Sequence, residues 1–401
     1  MGSPGTERAQ HWFIVDKAMA LKTDFFARLI VCLFIVIIAL PGFLSLLTID
    51  TASSLIDENR QLGPFPVIAC SPKEIAQFPR DFDRYFSEHF KLRDYFILGH
   101  NWLKIKIWKH SSQKKVLIGS DGWLFLADDR VLEDFLSMQR FSVAQLEARR
   151  RILESKRNWL AKRGIRYLFV IPPNKQSIYP EFMPEAYRRL QGTPRLDQFL
   201  GYMDQHSDVE ILDLRPALRK AKEDQQVYFS LDSHWNEIGG LAASRAIFRY
   251  VSNRYPVKTM ADYRIRSEKR QKQGDLARLL GYPVDRGENC YAIKPDFDML
   301  SERQDLPGYL GRDWKPYPAP YVLEGHPSGR NCIVFHDSFA VYFAPFFPEF
   351  FKRSLFVWQR NPTAAIFKEV VGKEQADIVI EEVVERFLYY YETGPDYLLS
   401  E

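Results

Sequence analysis

The sequence predicts an α/β protein: a three-layer α/β/α sandwich on a central, mostly parallel sheet, behind one N-terminal membrane-spanning helix. Three observations predict it. Short apolar runs recur from residue 166 onward, and they are continuous rather than alternating, as strands covered on both faces are. Helical stretches separate them, which is the order of α/β units. Finally, Leu29–Leu47 carries no charge and is about the length that crosses a bilayer as a helix.

Arg8, Lys17, Lys22 and Arg28 precede that run, whereas Asp50, Asp57 and Glu58 follow it before Arg60 appears. The positive-inside bias places residues 1–28 in the cytoplasm, residues 29–47 in the inner membrane as a single-pass anchor, and everything after Thr48 outside, in the periplasm. No small-x-small cleavage site follows, so the anchor is read as retained. Pro64, Pro66 and Pro72 mark residues 48–75 as a linker, and residues 76–401 are expected to form the domain.

The domain opens with Phe78–Trp108, whose aromatics recur at helical spacing. Val116–Leu126 predicts a hairpin turning at Ser120-Asp121-Gly122. Ser142-Val143-Ala144-Gln145 is a capping box for a helix that runs to Arg163 and stops at Gly164. Strands are expected at Arg166–Ile171, Val209–Leu214, Cys332–Phe335, Leu355–Trp358 and Asp377–Glu381, with a helix at Asn236–Tyr250 capped by Asn236. Glu381, Glu382 and Glu385 with Arg386 read as an exposed helix start, and the aromatic segment Tyr342–Phe351 as core.

With 46% hydrophobic and 26% charged residues over 401 positions the chain is globular in composition. A net charge of +4 without a dense basic stripe gives no reason to expect nucleic acid; the basic run Lys104–Lys115 reads as a solvated helix face. Cys32 lies in the expected anchor. Cys70, Cys290 and Cys332 allow at most one intramolecular disulfide, and the pairing is open. No cysteine/histidine cluster has metal-ligand spacing, so no metal or cofactor is expected.

Sites in parallel sheets form at the carboxyl ends of strands. Three segments place reactive side chains there or at a helix start. His336-Asp337-Ser338-Phe339 follows a strand, where a serine on a tight turn presents its hydroxyl; capping of the next helix would explain it equally. Asp232-Ser233-His234-Trp235 precedes a helix, and its carboxylate can orient the imidazole toward a nucleophile from another strand. Pro172-Pro173-Asn174-Lys175 holds Asn174 and Lys175 at the rim as candidate substrate or oxyanion contacts.

These pieces, in this order, carry a resemblance. Residues 82–97, GSDGWLFL at 119–126, IPPNKQSIYPEFMP at 171–184, DSHWN at 232–236, GDLARLLG at 274–281, FHDSF at 335–339 and DIVIEEVVER at 377–386 resemble the SGNH hydrolase-like alginate O-acetyltransferases of AlgJ/AlgX type. The resemblance implies an SGNH hydrolase-like fold and a catalytic triad of Asp232, His234 and Ser338. It implies acetyl transfer from a donor to hydroxyls of a secreted polysaccharide, beside a multi-pass membrane-bound O-acyltransferase partner. Because the chain ends soon after the last expected strand, it is similar to the shorter, membrane-tethered type. His336 stands where the family commonly has glycine, so a different turn around Ser338 is expected. An acetylesterase with the same triad, or a non-catalytic polysaccharide-binding protein, would fit the same residues.

Overall fold

The computed structural model describes residues 26–39, 64–66, 71–89, 99–100, 103, 114–252, 263–270, 274–281, 288–295, 302–310, 318–325 and 329–399. The chain divides into two compact units, Met1–His100 and Asn101–Glu401.

In the first unit, residues 26–39 form an exposed helix. Among the described residues no helix is long and apolar enough to cross a membrane. Of the membrane-spanning helix expected at 29–47, the first part falls within residues 26–39, and residues 40–47 lie outside the described residues. A second helix, Pro72–His89, begins inside the expected linker and contains Pro79. Phe78, Phe82 and Phe86 stack along one face of it, with ring centroids 5.9 and 6.3 Å apart, as side chains four residues apart do on a helix. The remainder of the expected helix to Trp108 lies outside the described residues, apart from residues 99, 100 and 103.

The second unit opens on the expected hairpin, β1 (Val116–Ile118) and β2 (Leu124–Leu126), paired antiparallel. Its turn takes left-handed backbone at Asp121 (φ 53°) and Gly122 (φ 78°). The helix Val143–Ala161 follows, closed by the Ser142–Gln145 box: each residue's side chain accepts from the other's backbone N–H. Gly164 then turns the chain at φ 70° into β3 (Arg166–Ile171).

After β3 come β4 (Ile211–Asp213), a polar antiparallel pair β5 (Tyr263–Arg270) and β6 (Glu288–Pro295), then β7 (Glu302–Asp305), β8 (Tyr321–Glu324), β9 (Arg330–Phe335), β10 (Phe351–Val357) and β11 (Ile378–Glu382). Among the described residues the main sheet has seven strands, in the order β4-β3-β11-β9-β10-β8-β7. The five strands expected from the sequence are the parallel ones. The pairs β10–β8 and β8–β7 are antiparallel and extend one edge.

Alternation along each strand splits the core into two layers. Leu168, Val170, Val334, Phe356 and Ile380 pack with the helix Glu237–Val251 and the aromatics Phe339, Phe343 and Phe347. Tyr167, Phe169, Ile333, Phe335, Leu355 and Val379 pack on the opposite face, against Ile152, Trp159, Phe199 and Phe367 from three helices. Helices thus cover both faces, as the continuous apolar runs require. The segment Tyr342–Phe351 is mostly core: Phe343, Phe347 and Phe351 are fully buried.

One expectation is corrected. Glu381, Glu382, Glu385 and Arg386 do not start an exposed helix; all four are buried, on β11 and the turn after it. Buried partners hold them there. Lys156 donates to both Glu381 oxygens at 2.9 Å, and Tyr167 and Tyr391 donate at 2.6 and 2.7 Å. Such a desolvated pair persists only because its lone pairs and protons are satisfied.

Candidate active site

Ser338 is set by the way β9 ends. His336 N–H donates to Val357 O, which carries the β9–β10 ladder one step past the strand. Asp337 then closes the turn: its Oδ1 accepts from Phe339 N–H and its Oδ2 from Val384 N–H, both at 2.9 Å, while its own N–H donates to Glu382 at 2.9 Å. No residue from His336 to Phe339 has positive φ, so the turn forms without glycine. The His336 ring packs near Tyr321, Phe356 and Trp358, with Nδ1–H donating to Asp337 O at 2.7 Å. Burial pushes its pKa down to about 4, so the ring is neutral.

Asp232 and His234 lie on a tight loop whose ends pair at Tyr228 and Trp235. The loop is anchored from the end of β3. Lys175 Nζ donates to Leu124 O, Ser230 O and Asp232 O at 2.6, 2.9 and 2.9 Å, and Tyr228 donates to Pro173 O at 2.5 Å. Trp235 Nε1–H reaches across to Phe339 O at 3.0 Å and ties the loop to the serine turn. Asn236 caps the following helix by accepting from Gly239 N–H at 3.1 Å.

These supports bring three expected residues together. His234 Nδ1–H donates to Asp232 Oδ1 at 2.7 Å, and Ser338 Oγ–H donates to His234 Nε2 at 2.7 Å. Both bonds agree with one tautomer. Ser338 and His234 are half-buried, whereas Asp232 is buried. Burial works to raise the Asp232 pKa, but the bond to His234, its charge, and the N–H groups of His234 and Asp275 outweigh it, so the carboxyl sits well below its usual range. The Ser338 N–H meets no acceptor among the described residues.

The other two candidates are placed differently. Every N–H of the Lys175 ammonium is directed to a main-chain carbonyl, so Lys175 clamps the Asp232 loop instead of facing a substrate. Burial drives its pKa down to about 7, while the three acceptors favour the charged form. Asn174 is buried; its N–H donates to Glu385 at 2.7 Å and its Oδ1 accepts from Arg386 at 3.5 Å. Asn174 also lines a polar cavity of about 240 Å³ with Asp134, Ser177 and Arg215. It makes no hydrogen bond to the Asp232–His234–Ser338 chain among the described residues.

Asp275 belongs to the site and was not singled out from the sequence. Its carboxylate accepts from Ser233 N–H and Oγ–H at 2.7 and 2.5 Å, and its N–H donates to Asp232 Oδ2 at 3.1 Å. Its Oδ2 lies 3.6 Å from His234 Nδ1. Asp232, His234 and Asp275 are also the one group of metal-ligand type among the described residues, within 4.8 Å of one another. Gly274 makes the approach possible, because a Cβ there would lie 2.1 Å from Leu231 O. The only sequence signal was Gly274-Asp275 at the head of a leucine-rich turn.

A Ser–His–Asp chain at the carboxyl edge of a helix-covered parallel sheet is an arrangement that recurs on several α/β folds. Residues 116–304 match the family model described as an SGNH hydrolase-like domain, acetyltransferase AlgX. The probable alginate O-acetylase AlgJ of Pseudomonas aeruginosa is 25% identical over 278 residues, which cover 68% of this chain and 64% of the relative. AlgJ of Pseudomonas syringae pv. tomato is 23% identical over 183 residues, 45% of this chain and 44% of that one. The chain therefore spans less than two thirds of the length of these curated relatives. Among solved structures, Bacillus cereus PatB1 superposes with a TM-score of 0.52 at 16% identity, covering 71% of this chain and 99% of its own. A DHHW family protein from Eubacterium siraeum gives 0.51 at 15% identity, covering 72% and 98%. At these identities the likeness is one of fold. The chain is thus similar, over residues 116–304, to the AlgX-type SGNH hydrolase-like domain, and over 278 residues to AlgJ.

Proposed function

We propose that the protein is an O-acetyltransferase that moves an acetyl group through Ser338 to hydroxyls of a secreted polysaccharide. The observation that carries this reading is the unbroken chain Asp232–His234–Ser338, with both bonds at 2.7 Å. The AlgX-type domain and the AlgJ relatives support acetyl and polysaccharide as the group and the acceptor.

In the first half-reaction Ser338 Oγ attacks the acyl carbonyl while its proton passes to His234 Nε2. The Ser338 N–H is the oxyanion donor we assign. Collapse of the tetrahedral species expels the donor's leaving group, which takes the proton from His234. In the second half a sugar hydroxyl gives its proton to His234 and attacks the acyl carbon, and Ser338 leaves with that proton. Asp232 holds the Nδ1–H tautomer and balances the transient imidazolium. The inner-membrane anchor at 29–47, the periplasmic location and a multi-pass membrane-bound O-acyltransferase as acyl source are parts of the same proposal.

The test is to incubate the protein with an acetyl-ester donor and candidate oligosaccharides and to follow mass. A gain of one acetyl group on Ser338, followed by its appearance on sugar, is the expected result. Acetyl released only as acetate would make the protein an esterase, and an unlabelled Ser338 would make it a binding protein.

A further inference from the structure

The loops after β10 and β11 line an open groove of about 490 Å³. Gln359, Arg360 and Asn361 come from the first loop, Phe387 and Tyr390 from the second, and Tyr397 from the C-terminal segment. Asp129 and Glu392 complete the wall. β9, which carries Ser338, lies between β10 and β11 in the sheet. The groove's two main segments therefore leave from the same carboxyl edge as the Ser338 turn, one on each side of it.

The lining is chemically specific. Arg360 lies over the Phe387 ring at 4.0 Å, and Tyr390 is 42% exposed. Neither the Gln359 amide, the Arg360 guanidinium nor the Tyr390 hydroxyl makes a hydrogen bond among the described residues. Arg386 connects groove and nucleophile. Its guanidinium lies 5.2 Å from the Phe339 ring and 5.0 Å from the Phe387 ring, and its Nε is 3.9 Å from Asp129 Oδ2. That Nε is buried with no hydrogen-bond partner.

We infer that this groove holds the acceptor: a chain of sugars stacked on the exposed Tyr390 ring and hydrogen-bonded by Gln359 and by Arg360, which Phe387 holds in place. Aromatic faces with free amide and guanidinium donors suit a ligand that alternates C–H faces and hydroxyls. A volume of this order lies within the range of small-ligand sites, roughly 300–1,000 Å³. The mixed signs of Arg360, Asp129 and Glu392 admit an acidic or a neutral sugar, so hydroxylated sugar chemistry is what the groove selects. The inference rests on the reading of Ser338 as the acyl carrier, since it places the acceptor at the sheet edge from which that residue leaves.

The experiment measures binding without turnover. Full-length protein carrying Ser338→Ala is titrated calorimetrically with an oligomannuronate and, separately, with a cello-oligosaccharide. At least one should bind, and adding Arg360→Ala, Tyr390→Ala or Gln359→Ala should weaken it by about fivefold or more. The probe that binds tells whether the acceptor is acidic or neutral. Neither probe binding, or binding unchanged in all three variants with unaltered circular dichroism, overturns the inference. Acetylation of Ser338 in the wild-type protein is followed separately by mass; its failure would remove the acyl-carrier reading while leaving the binding result intact.

Discussion

Removing the Ser338 hydroxyl takes the end off a chain of two hydrogen bonds, and removing the His234 ring breaks both of them. Ser338→Ala and His234→Ala should each lower acetyl transfer by about a thousandfold or more, with the double variant little worse. Asp232→Ala should be milder by about tenfold or more, because His234 keeps its base in a poorer orientation. Equal rates for Ser338→Ala and wild type, with matching circular dichroism, would reject the assignment. His336 makes a second prediction. Its pKa is about 4 in the fold against about 6.5 in an unfolded chain. The unfolded state therefore takes up a proton first as pH falls. The stabilising contribution is complete above pH 6.5 and is lost toward pH 4, by about 3 kcal/mol. Urea unfolding of His336→Phe should show a smaller loss over that window than wild type, whatever its stability at neutral pH; parallel losses would refute it.

Single elements are held at points where backbone meets backbone. Gly274→Ala would place a Cβ 2.1 Å from Leu231 O and 2.9 Å from Asp232 N. The helix starting at Asp275 or the Asp232 loop must then shift, at a cost of about 1–3 kcal/mol. A lower melting temperature together with slower transfer is expected. Gly372→Ala, on a helix with nothing within 4 Å, should be neutral or slightly stabilising, by up to about 1 kcal/mol; similar effects at the two glycines would contradict the packing argument. The Ser142 and Asn236 caps were legible in the sequence because each is a bond between residues three apart. The buried acids of β11 were not. Glu381 reads as a solvated residue, and its partner Lys156 is 225 positions away. Asp275 failed for the same reason, since its tie to Asp232 spans 43 positions. Asp232, His234 and Ser338 were legible as types at strand ends and helix starts, whereas the clamp formed by Lys175 was not, because a lysine on a loop reads as exposed.

For the whole molecule, the five parallel strands were legible because burial on both faces leaves continuous apolar runs. β7 reads Glu-Arg-Gln-Asp and lies at the sheet's edge; with one ladder unpaired it needs no such run, and nothing marked it as a strand. The pair β5–β6 is similarly rich in polar residues. Protease added to spheroplasts should digest residues beyond about Thr48 and spare the N-terminus, as the Lys/Arg asymmetry around 29–47 requires; full protection would refute the topology. Secreted protein beginning at residue 76 should be soluble and unfold cooperatively, since both layers of the core are made by residues from Val116 onward. Aggregation of that shortened chain would show that the N-terminal unit is needed for folding.

The sheet order has a further consequence for how the chain is made. β11 is the last in the chain of the described strands, yet it lies between β3 and β9. The loop bearing His234 is fastened to the end of β3, and Ser338 leaves from β9. A polypeptide emerging N-terminus first therefore carries two half-sheets that wait for residues 378–382 to slot between them. A chain cut short before β11 would keep the Trp235–Phe339 tie between the two turns but lack the strand that sets their half-sheets in register.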